Sequence, residues 1–456
     1  MMLNHAIFKK NLNTHNINAE HLLLKLGDLL GCVFLEDNHH PVIAFLPKKY
    51  VIFQTNVAKF YQRQNYNEYL ESKSEQNLNH FIKINHNNIN TSTSAGFQGG
   101  YIGFIDYNFP AQKNINTTFR SQPNLFIGEY LSYLKYSDGI WTYYSYDNTP
   151  EVLFEIIQSK VSAQHTQNKH FKLKQKCQAQ WSKKQYNQAF NKIQDYIKSG
   201  DCYQINLTQE FKTKAQGSLV HIAQDFWQLT NAPYSGYLKI NDFELLSCSP
   251  ELFIEFMSHK KIITKPIKGT MPRYHDPILD EQSKQKLIHS EKDQAENLMI
   301  VDLLRNDLSV YAEIGSVKTP KLFTIESFNQ VHHMVSEVTA TLKDNIHPFE
   351  MLISALPGGS ITGAPKIRAM QIIEELENAP RGAYCGTLGY FNFDGTGSWN
   401  ILIRSIQKYK DDVSLSAGGG ITISSDCDAE YQECFDKISA LIDLLNTWYH
   451  PEQAQQ

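Results

Sequence analysis

The clearest pattern of apolar and polar positions follows Trp181. Ser182 and Gln185 have the spacing of a capping box, and an apolar residue precedes the cap. Apolar residues then recur at helical spacing: Tyr186, Phe190, Ile193 and Ile197. Gly200 suits the end of such an element. The pattern therefore predicts an amphipathic helix between Ser182 and Gly200.

The next segment, 202–208, alternates between apolar and polar residues and predicts a β-strand. One face carries Tyr203, Ile205 and Leu207. The other face carries Gln204, Asn206 and Thr208. Amides and a hydroxyl on one face of a strand indicate a polar cleft beside it.

Two further helices are predicted, and each begins with a pair of acids. The first helix begins with Asp293 and Glu296, before the apolar run 298–304. The last helix of the chain begins with Glu430 and Glu433, which have the same spacing. The core face of that last helix consists of Phe435, Ile438, Ile442 and Leu445. If the helix ends converge, repulsion between the four carboxylates requires a cation, and Mg²⁺ suits oxygen ligands. The alternative is two solvated helix starts, where acids also favour the helix dipole.

The N-terminal part carries no evident chemical site but has strand-like aromatic runs at 99–104, 130–136 and 140–146. Asn, Gln, His and Lys crowd the segments 11–20, 62–94 and 158–180. The last of these indicates a linker. We therefore predict a β-rich scaffold over 1–165 and a second domain over 181–450, which carries the candidate chemistry.

Composition narrows the classes of function. The chain has 456 residues, of which 41% are hydrophobic and 20% charged, as in a soluble globular protein. A net charge of -4 argues against general affinity for nucleic acid, and no apolar run is long enough to span a bilayer. The start of the chain does not follow the pattern of a secretion signal. Seven cysteines without a Cys-x-x-Cys pair favour reduced thiols, so we expect a cytoplasmic protein.

One lysine, Lys268, lies at the end of the β-like run 261–267, between the rigid Pro266 and the permissive Gly269. A lysine acts as a nucleophile once it loses its proton. Its reference pKa of about 10.4 would have to fall by about 3 units to reach neutrality, which corresponds to about 4 kcal/mol. Burial and a nearby cation would supply this. The alternative is an ordinary lysine at the end of a strand.

Two glycine-rich segments offer backbone N–H groups to an anion. The first, 357–366, contains Gly359 and Ser360 and leads into a predicted helix over 367–376. It is not a Walker loop, because Ala-Pro-Lys follows its last glycine. The second, 417–420, lies just before the last acidic pair. Plain turns are the alternative for each.

Arg404 ends the apolar run 401–403, and Tyr390 lies in a Gly-Thr-Leu-Gly-Tyr string. A forked guanidinium suits a substrate carboxylate, although a structural salt bridge is an equal alternative.

Glu251 precedes the apolar run 252–254, where partial burial would raise its pKa towards that of a general acid. His333 is the best histidine candidate, because His332 would face the other way on a strand. A structural histidine is the alternative.

Taken together, these strings resemble those of the chorismate-utilising enzymes, which include anthranilate, isochorismate, salicylate and aminodeoxychorismate synthases. The resemblance is strong over 181–445 and covers the N-terminal half only in outline. The motifs stand in family order: GDCYQINL, SCSPELF, PIKGT, AENLMIVDLLRND, VHHMVS, PGGSITGAPK, GTLGYF, ILIRS, and AGGGIT followed by AEYQE. The resemblance implies an α+β fold of two stacked antiparallel or mixed sheets flanked by helices, in four αββα layers. The site would lie between the sheets.

Two positions distinguish branches of this family. Isochorismate and salicylate synthases carry a water-activating lysine where this chain has Gln204, and anthranilate synthases usually carry alanine where it has Lys268. The combination of Gln204 with Lys268 resembles the aminodeoxychorismate branch, which serves p-aminobenzoate and folate biosynthesis. Anthranilate synthase is the alternative within the family. A chorismate-binding regulatory paralogue is the alternative without catalysis, and the retained acids and Glu251 argue against it.

The resemblance also implies a role for each matched residue. Glu296 and Glu433 would hold Mg²⁺, with Asp293 and Glu430 acting through waters. The substrate chorismate would be bound by Gln204, Thr270, Gly359, Ser360, Tyr390, Arg404, Gly418, Gly419 and Gly420. In that set the glycine loops would help Mg²⁺ hold the ring carboxylate, and Tyr390 and Arg404 would hold the enolpyruvyl carboxylate. Lys268 would attack the ring while Glu251 protonates the leaving hydroxyl, with His333 near the ring.

Ammonia is implied to come from a separate glutamine amidotransferase subunit, because the chain lacks a Gly-x-Cys-x-Gly nucleophile turn and Cys385 stands in Ala-Tyr-Cys-Gly. Another protein would complete p-aminobenzoate. Relatives often read Asn/Asp-Met-Asp-Thr where this chain has Thr396–Trp399, so we expect a different loop before the arginine.

Overall fold

The computed structural model describes residues 7–13, 17–72, 78–84, 96–163, 171–327 and 331–451. Within these residues the chain forms two large antiparallel sheets with helices outside them. The strands in chain order are β1 (Phe8–Asn11), β2 (Val33–Leu35), β3 (Val42–Ala44), β4 (Lys49–Gln54), β5 (Val57–Asn65), β6 (Glu68–Glu71), β7 (Gly100–Ile105), β8 (Leu125–Tyr130), β9 (Ser132–Ser137), β10 (Ile140–Ser145), β11 (Lys172–Leu173), β12 (Gln178–Ala179), β13 (Gln204–Gln216), β14 (Tyr234–Ile240), β15 (Phe243–Ser249), β16 (Leu252–Phe256), β17 (Lys261–Thr264), β18 (Ile267–Pro272), β19 (Lys318–Ser327), β20 (Val331–Thr341), β21 (Gly363–Ala364), β22 (Thr387–Asn392), β23 (Gly397–Asn400), β24 (Ser405–Tyr409) and β25 (Asp412–Ile421).

The helices flank these sheets, and a short 3₁₀ turn at Gly359–Ile361 precedes one of them. They are α1 (Ala19–Leu26), α2 (Leu78–Phe81), α3 (Asn108–Ala111), α4 (Pro150–Ser162), α5 (Lys183–Lys198), α6 (Ala223–Thr230), α7 (Pro277–Ile288), α8 (Glu291–Ser309), α9 (Pro348–Ala355), α10 (Lys366–Glu377), α11 (Cys427–Asp436) and α12 (Ser439–Asn446). No helix in the described ranges combines the length and the apolarity needed to cross a lipid bilayer.

Each sheet contains strands from both parts of the chain. The path of the first sheet is β1-β10-β9-β3-β2-β14-β15-β24-β25-β13-β11. The path of the second is β18-β20-β17-β16-β23-β22-β7-β8-β4-β5-β6. The two parts meet where β2 pairs with β14 and where β7 pairs with β22. The segment between 165 and 181, where we predict the division, contains β11 and β12, which both pair with β13 of the first sheet.

The sheets stack through their apolar inner faces. Val33 and Val42 of the first sheet belong to the same buried cluster as Ile102 and Phe126 of the second. The outer face of the first sheet packs against helices that include α1, and the outer face of the second packs against α9. Each fully buried Leu, Val or Phe side chain contributes about 1.5–3 kcal/mol. The predicted order of helix, sheet, sheet and helix layers is confirmed.

Local predictions hold where the pattern is long and periodic. The helix predicted after Ser182 is α5, and Ser182 and Gln185 form its capping box. The strand predicted over 202–208 is the start of β13, which begins at Gln204 and continues well beyond. The helix predicted over 298–304 lies within α8.

Two predicted elements are divided in the structure. The last helix is two helices, α11 and α12, separated at Lys437–Ile438. The run 261–267 is also divided, because β17 ends at Thr264 and β18 begins at Ile267. Pro266 has no backbone N–H to offer a neighbouring strand, which explains the interruption.

Candidate active site

A cavity of about 580 Å³ lies between β13 and β25 of the first sheet and β18 and β20 of the second, beside α8 and α11. Its lining contains most of the residues that the sequence predicts as functional: Glu251, Lys268, Thr270, Asp293, Glu296, His333, Ser360, Arg404, Gly418, Gly419, Gly420, Glu430 and Glu433. These residues come from widely separated parts of the chain. The fold therefore brings these residues together in one place.

Lys268 lies in a β-bulge of β18. The strand uses one more residue than its partner β20 between two paired positions, Ile267–Val335 and Thr270–His333. A bulge bends a strand and re-aims the side chains within it. It therefore places Lys268 in the cavity lining between two residues of a regular ladder.

Gly269 completes this bulge. Its φ is +82°, which an L side chain rarely adopts, and a Cβ there would lie 2.9 Å from Asp293 Cγ and 2.8 Å from Leu287 Cδ1. Glycine at this position lets β18 pass close to α7 and α8. The nucleophile candidate and the first acidic helix are thereby brought together.

Lys268 and Glu251 have shifted pKa values. Burial lowers the pKa of Lys268 and the charge of Lys437 lowers it further, against the opposing pull of nearby carboxylates. Burial raises the pKa of Glu251 to about 7, and the charge of Lys268 limits that rise. A deprotonatable amine beside a carboxyl that retains its proton near neutral pH suits a nucleophile and a general acid.

His333 and His332 face opposite ways on β20. His333 lines the cavity, and its Nδ1 lies 2.8 Å from Thr270 Oγ1. His332 Nε2 instead lies 3.1 Å from Asp280 Oδ1 on α7, and its Nδ1 lies 2.7 Å from Ser327 Oγ. Burial lowers the pKa of His333 to about 4, so its imidazole is neutral at neutral pH.

Arg404 lies just before β24 with φ +50°, in the left-handed region that only a small share of non-glycine residues occupy. Its carbonyl accepts a hydrogen bond from Cys248 N at 3.1 Å. Within the described ranges its guanidinium has no salt bridge, so the structural alternative for this residue is not met. Burial lowers its pKa, yet a guanidinium stays charged at any ordinary pH. A half-buried positive charge of this kind suits a ligand carboxylate.

The four predicted acids reach the cavity from two helices. Asp293 and Glu296 lie on α8, and Glu430 and Glu433 lie on α11. A Cβ at Gly419 would lie 2.7 Å from Glu430 Oε2 and 3.3 Å from Glu433 Oε1. The glycine of β25 thus leaves room for two carboxylates beside the strand.

These carboxylates affect one another's protonation. Burial raises the pKa of Glu296 and of Glu430, and the negative charge of Glu433 adds to both shifts. Two lysines offset the repulsion: Lys437 Nζ lies 2.5 Å from Glu433 Oε1, and Lys292 Nζ lies 3.9 Å from Glu296 Oε1. The positive charges of Lys437 and Lys292 therefore stabilise the carboxylates in this part of the cavity.

This donor set fits Mg²⁺. It consists of carboxylate oxygens, and Mg²⁺ is usually bound through one or two carboxylates together with waters and substrate oxygens. Convergent, partly buried like charges are also what a divalent cation stabilises. In the described part of the chain no three His, Cys, Asp or Glu side chains form a ready metal cluster. The residues therefore fit an ion held largely through water and substrate, not an all-protein cage.

Gly359 and Gln204, both predicted to bind chorismate, are not among the residues that line the cavity. A Cβ at Gly359 would lie 2.1 Å from Leu303 Cδ2, so glycine here lets the 3₁₀ turn pack against α8 while Ser360 reaches the cavity. Gln204 is fully buried, and its Nε2 would lie 2.0 Å from a Cβ at Gly420. Glycine at position 420 therefore leaves room for the Gln204 amide beside the cavity lining.

The structure also corrects the prediction for Tyr390. Its hydroxyl donates to Asp37 Oδ2 at 2.7 Å, its ring packs edge-on against Phe97, and it does not line the cavity. Tyr384, six residues earlier, lines the cavity instead. Nothing periodic in the sequence distinguishes the two tyrosines, because the difference depends on which face of the second sheet each one meets.

Three further cavity residues received no role from the sequence: Asn206, Lys292 and Lys437. Asn206 lies on the strand face that the alternation indicates as polar. Lys292 and Lys437 stand four residues from Glu296 and Glu433 on the same helices. Helical spacing would have placed each lysine beside its acid.

Comparison with known proteins gives a consistent family. Residues 32–443 match the model of a family described as chorismate binding enzyme. "Aminodeoxychorismate synthase component 1" of Salmonella typhimurium is 41% identical over 358 residues, which are 76% of this chain and 77% of that protein. The Escherichia coli protein of the same name is 45% identical over 284 residues, 62% of each chain. "Anthranilate synthase component 1" of Bacillus subtilis is 41% identical over 256 residues, 56% of this chain and 49% of that protein.

Solved structures share the architecture. Anthranilate synthase component I from Streptococcus pneumoniae superposes with a TM-score of 0.73 at 23% identity, over 88% of this chain and 91% of that one. The menaquinone-specific isochorismate synthase of Escherichia coli gives 0.72 at 17% identity, over 96% and 94%. At these identities the likeness establishes the fold, and the predicted α+β class is confirmed.

Proposed function

The chain belongs to the chorismate-binding enzyme family, and on that premise we propose that it converts chorismate and ammonia into 4-amino-4-deoxychorismate. The observation that carries this proposal is Lys268, placed by a β-bulge in the cavity close enough to Glu251 for each charge to shift the other's pKa. The combination of Lys268 with Gln204 resembles the aminodeoxychorismate branch. The curated relatives at 41% and 45% identity carry that name.

Lys268 and Glu251 divide the substitution into two steps. In the first, neutral Lys268 Nζ forms a bond to a ring carbon, the bond from the ring to the hydroxyl breaks, and Glu251 gives its proton so that water leaves. In the second, ammonia forms a bond to the ring and the bond to Lys268 breaks, which returns a neutral amine. The new ammonium group then gives one proton to the Glu251 carboxylate. The ring exchanges a hydroxyl for an amino group, and both residues return to their starting states.

The acidic end of the cavity would hold Mg²⁺ and, through it, the ring carboxylate of chorismate. Glu296 and Glu433 would hold the ion, and Asp293 and Glu430 would act on its waters. The ion supplies positive charge that neutralises the ring carboxylate and fixes its position. Ser360 and the 418–420 stretch of β25 lie in the same lining, and their backbone N–H groups would donate to that carboxylate.

Arg404 would hold the enolpyruvyl carboxylate. Arg404 offers a forked guanidinium without a competing salt bridge in the described residues. Tyr384 supplies a ring to the same wall, in the role first expected of Tyr390. Neutral His333, next to Thr270, would contact the ring as a hydrogen-bond partner and not as a cation.

Ammonia would come from a glutamine amidotransferase subunit. The curated relatives are named as component 1 of their enzymes, which is consistent with a second component. Cys385, the residue after the cavity residue Tyr384, is buried, and burial raises its pKa to about 12. Such a thiol is a poor nucleophile at neutral pH. The chain would therefore use free ammonia in the test tube and a partner in the cytoplasm.

The decisive experiment gives the purified chain chorismate, Mg²⁺ and ammonium at mildly alkaline pH. Mass spectrometry identifies the product, and an added lyase tests whether it becomes p-aminobenzoate. A non-aromatic amino adduct that the lyase converts supports the proposal. Unchanged chorismate, both with ammonium and with an added glutaminase and glutamine, contradicts it.

Anthranilate synthesis is the second candidate, because the Bacillus subtilis anthranilate synthase component is 41% identical over 256 residues. The same experiment separates the two activities. Anthranilate as the product would mean that Lys268 is not the feature that decides the reaction.

A further inference from the structure

A gap lies along one edge of β13 where the strand passes behind the cavity. On that side β21 pairs with Gln204–Ile205 and β12 pairs with Phe211–Lys212. On that side no described strand lies beside the residues between them, 206–210, whose other side pairs with β25. A buried backbone group without a hydrogen-bond partner destabilises a fold. The backbone groups in this gap must therefore find partners outside the sheet.

Arg381 and Glu377 fill the gap with side-chain atoms. Arg381 Nη2 donates to the carbonyl of Asn206 at 2.7 Å, and Glu377 Oε1 accepts from Thr208 N at 3.1 Å. The two side chains also join each other, Nε to Oε2 at 2.8 Å and Nη2 to Oε1 at 2.7 Å. A bidentate ion pair thus takes the place of a strand.

Arg381 also contacts two other parts of the cavity wall. Its Nη1 donates to the carbonyl of Ile361 at 2.9 Å, and its guanidinium lies 5.9 Å from the ring centre of Tyr384. Asn206, Ile361 and Tyr384 all line the cavity, whereas Arg381 does not. The Arg381 side chain is only 2% exposed, so it acts on the cavity from behind.

We propose that Arg381, held by Glu377, is a positioning residue for chorismate. It fixes three separate segments of the cavity wall, at Asn206, Ile361 and Tyr384, in one relative arrangement. This inference rests on the proposed function, because the substrate that it names is chorismate. The planar fork of arginine reaches several acceptors at once, which the single ammonium group of lysine does not.

The first test is the variant R381K. It keeps a positive charge beside Glu377 but loses the fork. A misplacement of about 1 Å can cost about 10²-fold in an enzyme's efficiency, so we expect the KM for chorismate to rise about tenfold or more. The KM for ammonium and the affinity for Mn²⁺, measured by electron paramagnetic resonance, should stay within about threefold of wild type. A purely structural role would not produce this selective change.

The second test removes both charges in the double variant R381M/E377M. Replacing a buried ion pair by apolar residues of similar volume is often neutral for stability, because no single charge is left behind. We expect a folded protein with the same increase in the KM for chorismate. The variant separates loss of the wall contacts from loss of stability.

A second partly buried ion pair provides the matched control. Lys366 Nζ lies 2.7 Å from Asp307 Oδ2, the two side chains are 15% and 12% exposed, and neither lines the cavity. This pair joins the start of α10 to α8, as the first pair joins the end of α10 to β13. The control variant K366M/D307L should keep the KM of the wild type.

Two results would overturn the positioning role: a normal KM for chorismate in folded R381K, or an equal increase in the control variant. Calorimetry of chorismate binding separates this inference from the proposed function. A wild-type chain that binds chorismate without aminating it would contradict the proposed function. In that case weaker binding by R381K would still support the positioning role, and unchanged binding would still overturn it.

Discussion

The cavity residues carried by strands and those carried by helices are held in different ways. Glu251 and His333 are 7% and 3% exposed on or beside strands, and burial sets their pKa values. The four acids stand on α8 and α11, and the side chains of Glu433 and Lys437 are 43% and 44% exposed. The strand residues are fixed by backbone pairing, whereas the helix residues are held by charges that water also reaches. We therefore expect changes at the strand residues to alter the chemistry and changes at the helix residues to alter the dependence on metal.

The largest effect should come from a strand residue of the cavity, in the variant Lys268→Ala. Because the proposed reaction passes through a bond to this nitrogen, the rate of product formation should fall by at least about 10³-fold, as for other lost nucleophiles. Mass spectrometry of product formed from chorismate and ammonium provides the measurement. Lys261→Ala, at an exposed position of the preceding strand, is the matched control. Full activity of the Lys268 variant with its usual product would favour the anthranilate alternative.

Glu251→Gln tests the second strand-side residue, through the proton that it donates. A general acid contributes about 10²–10⁴-fold, so the rate should fall by that order. Glu251 must be protonated to act and its pKa is about 7, so the kcat/KM of the wild type should decline as the pH rises above about 7. The variant has no proton to lose and should lack this alkaline decline. Glu255→Gln, on β16 just after Glu251 but outside the cavity lining, should keep it, and a decline that persists in the Glu251 variant would contradict the assignment.

Glu433→Gln tests the acids that the helices carry. The loss of one charged ligand should lower the rate by about 10²-fold and shift the Mg²⁺ dependence to higher concentrations, because the ion contributes several kcal/mol. The measurement is the rate as a function of Mg²⁺ concentration. Asp428→Asn, on the same helix but paired with Lys183 at its surface, should behave as wild type. Near-normal rates of the Glu433 variant at low Mg²⁺ would remove this residue from the metal site.

The smallest effect concerns the two tyrosines. Tyr384→Leu should raise the KM for chorismate by about tenfold, because it removes a ring from the cavity wall. Tyr390→Phe should leave the KM within about twofold and lower the free energy of unfolding by about 1 kcal/mol, because Asp37 loses a hydrogen-bond donor. Steady-state kinetics and urea unfolding of both variants test the correction. The opposite pattern would restore the role predicted for Tyr390.

The sequence predicts local elements better than it predicts their arrangement. The capping box and the helical period define α5, and the alternation defines the start of β13, because both depend on neighbours in the chain. The pairing of β2 with β14 joins residues about two hundred positions apart and leaves no local signal. Only the resemblance to a family supplied that topology.

In the candidate site, too, some residues have a local signal in the sequence and others do not. Lys268 and Glu251 stand out because a proline, a glycine or an apolar run adjoins them in the sequence. Tyr384 and Arg381 do not, since their roles depend on the strand register and on a gap in the edge of β13. The sequence therefore predicts residues that carry chemistry more readily than residues that hold the cavity wall in place.

The sharing of both sheets by the two parts of the chain has a practical consequence for engineering. A fragment cut between residues 165 and 181 would expose the edges of β14 and β22, each of which is built almost entirely of buried residues. Exposed apolar edges of this length pair readily with other chains. Such a fragment would form aggregates instead of a smaller enzyme. A chimaera that takes its first 165 residues from a relative would have to match both seams, at β2–β14 and at β7–β22.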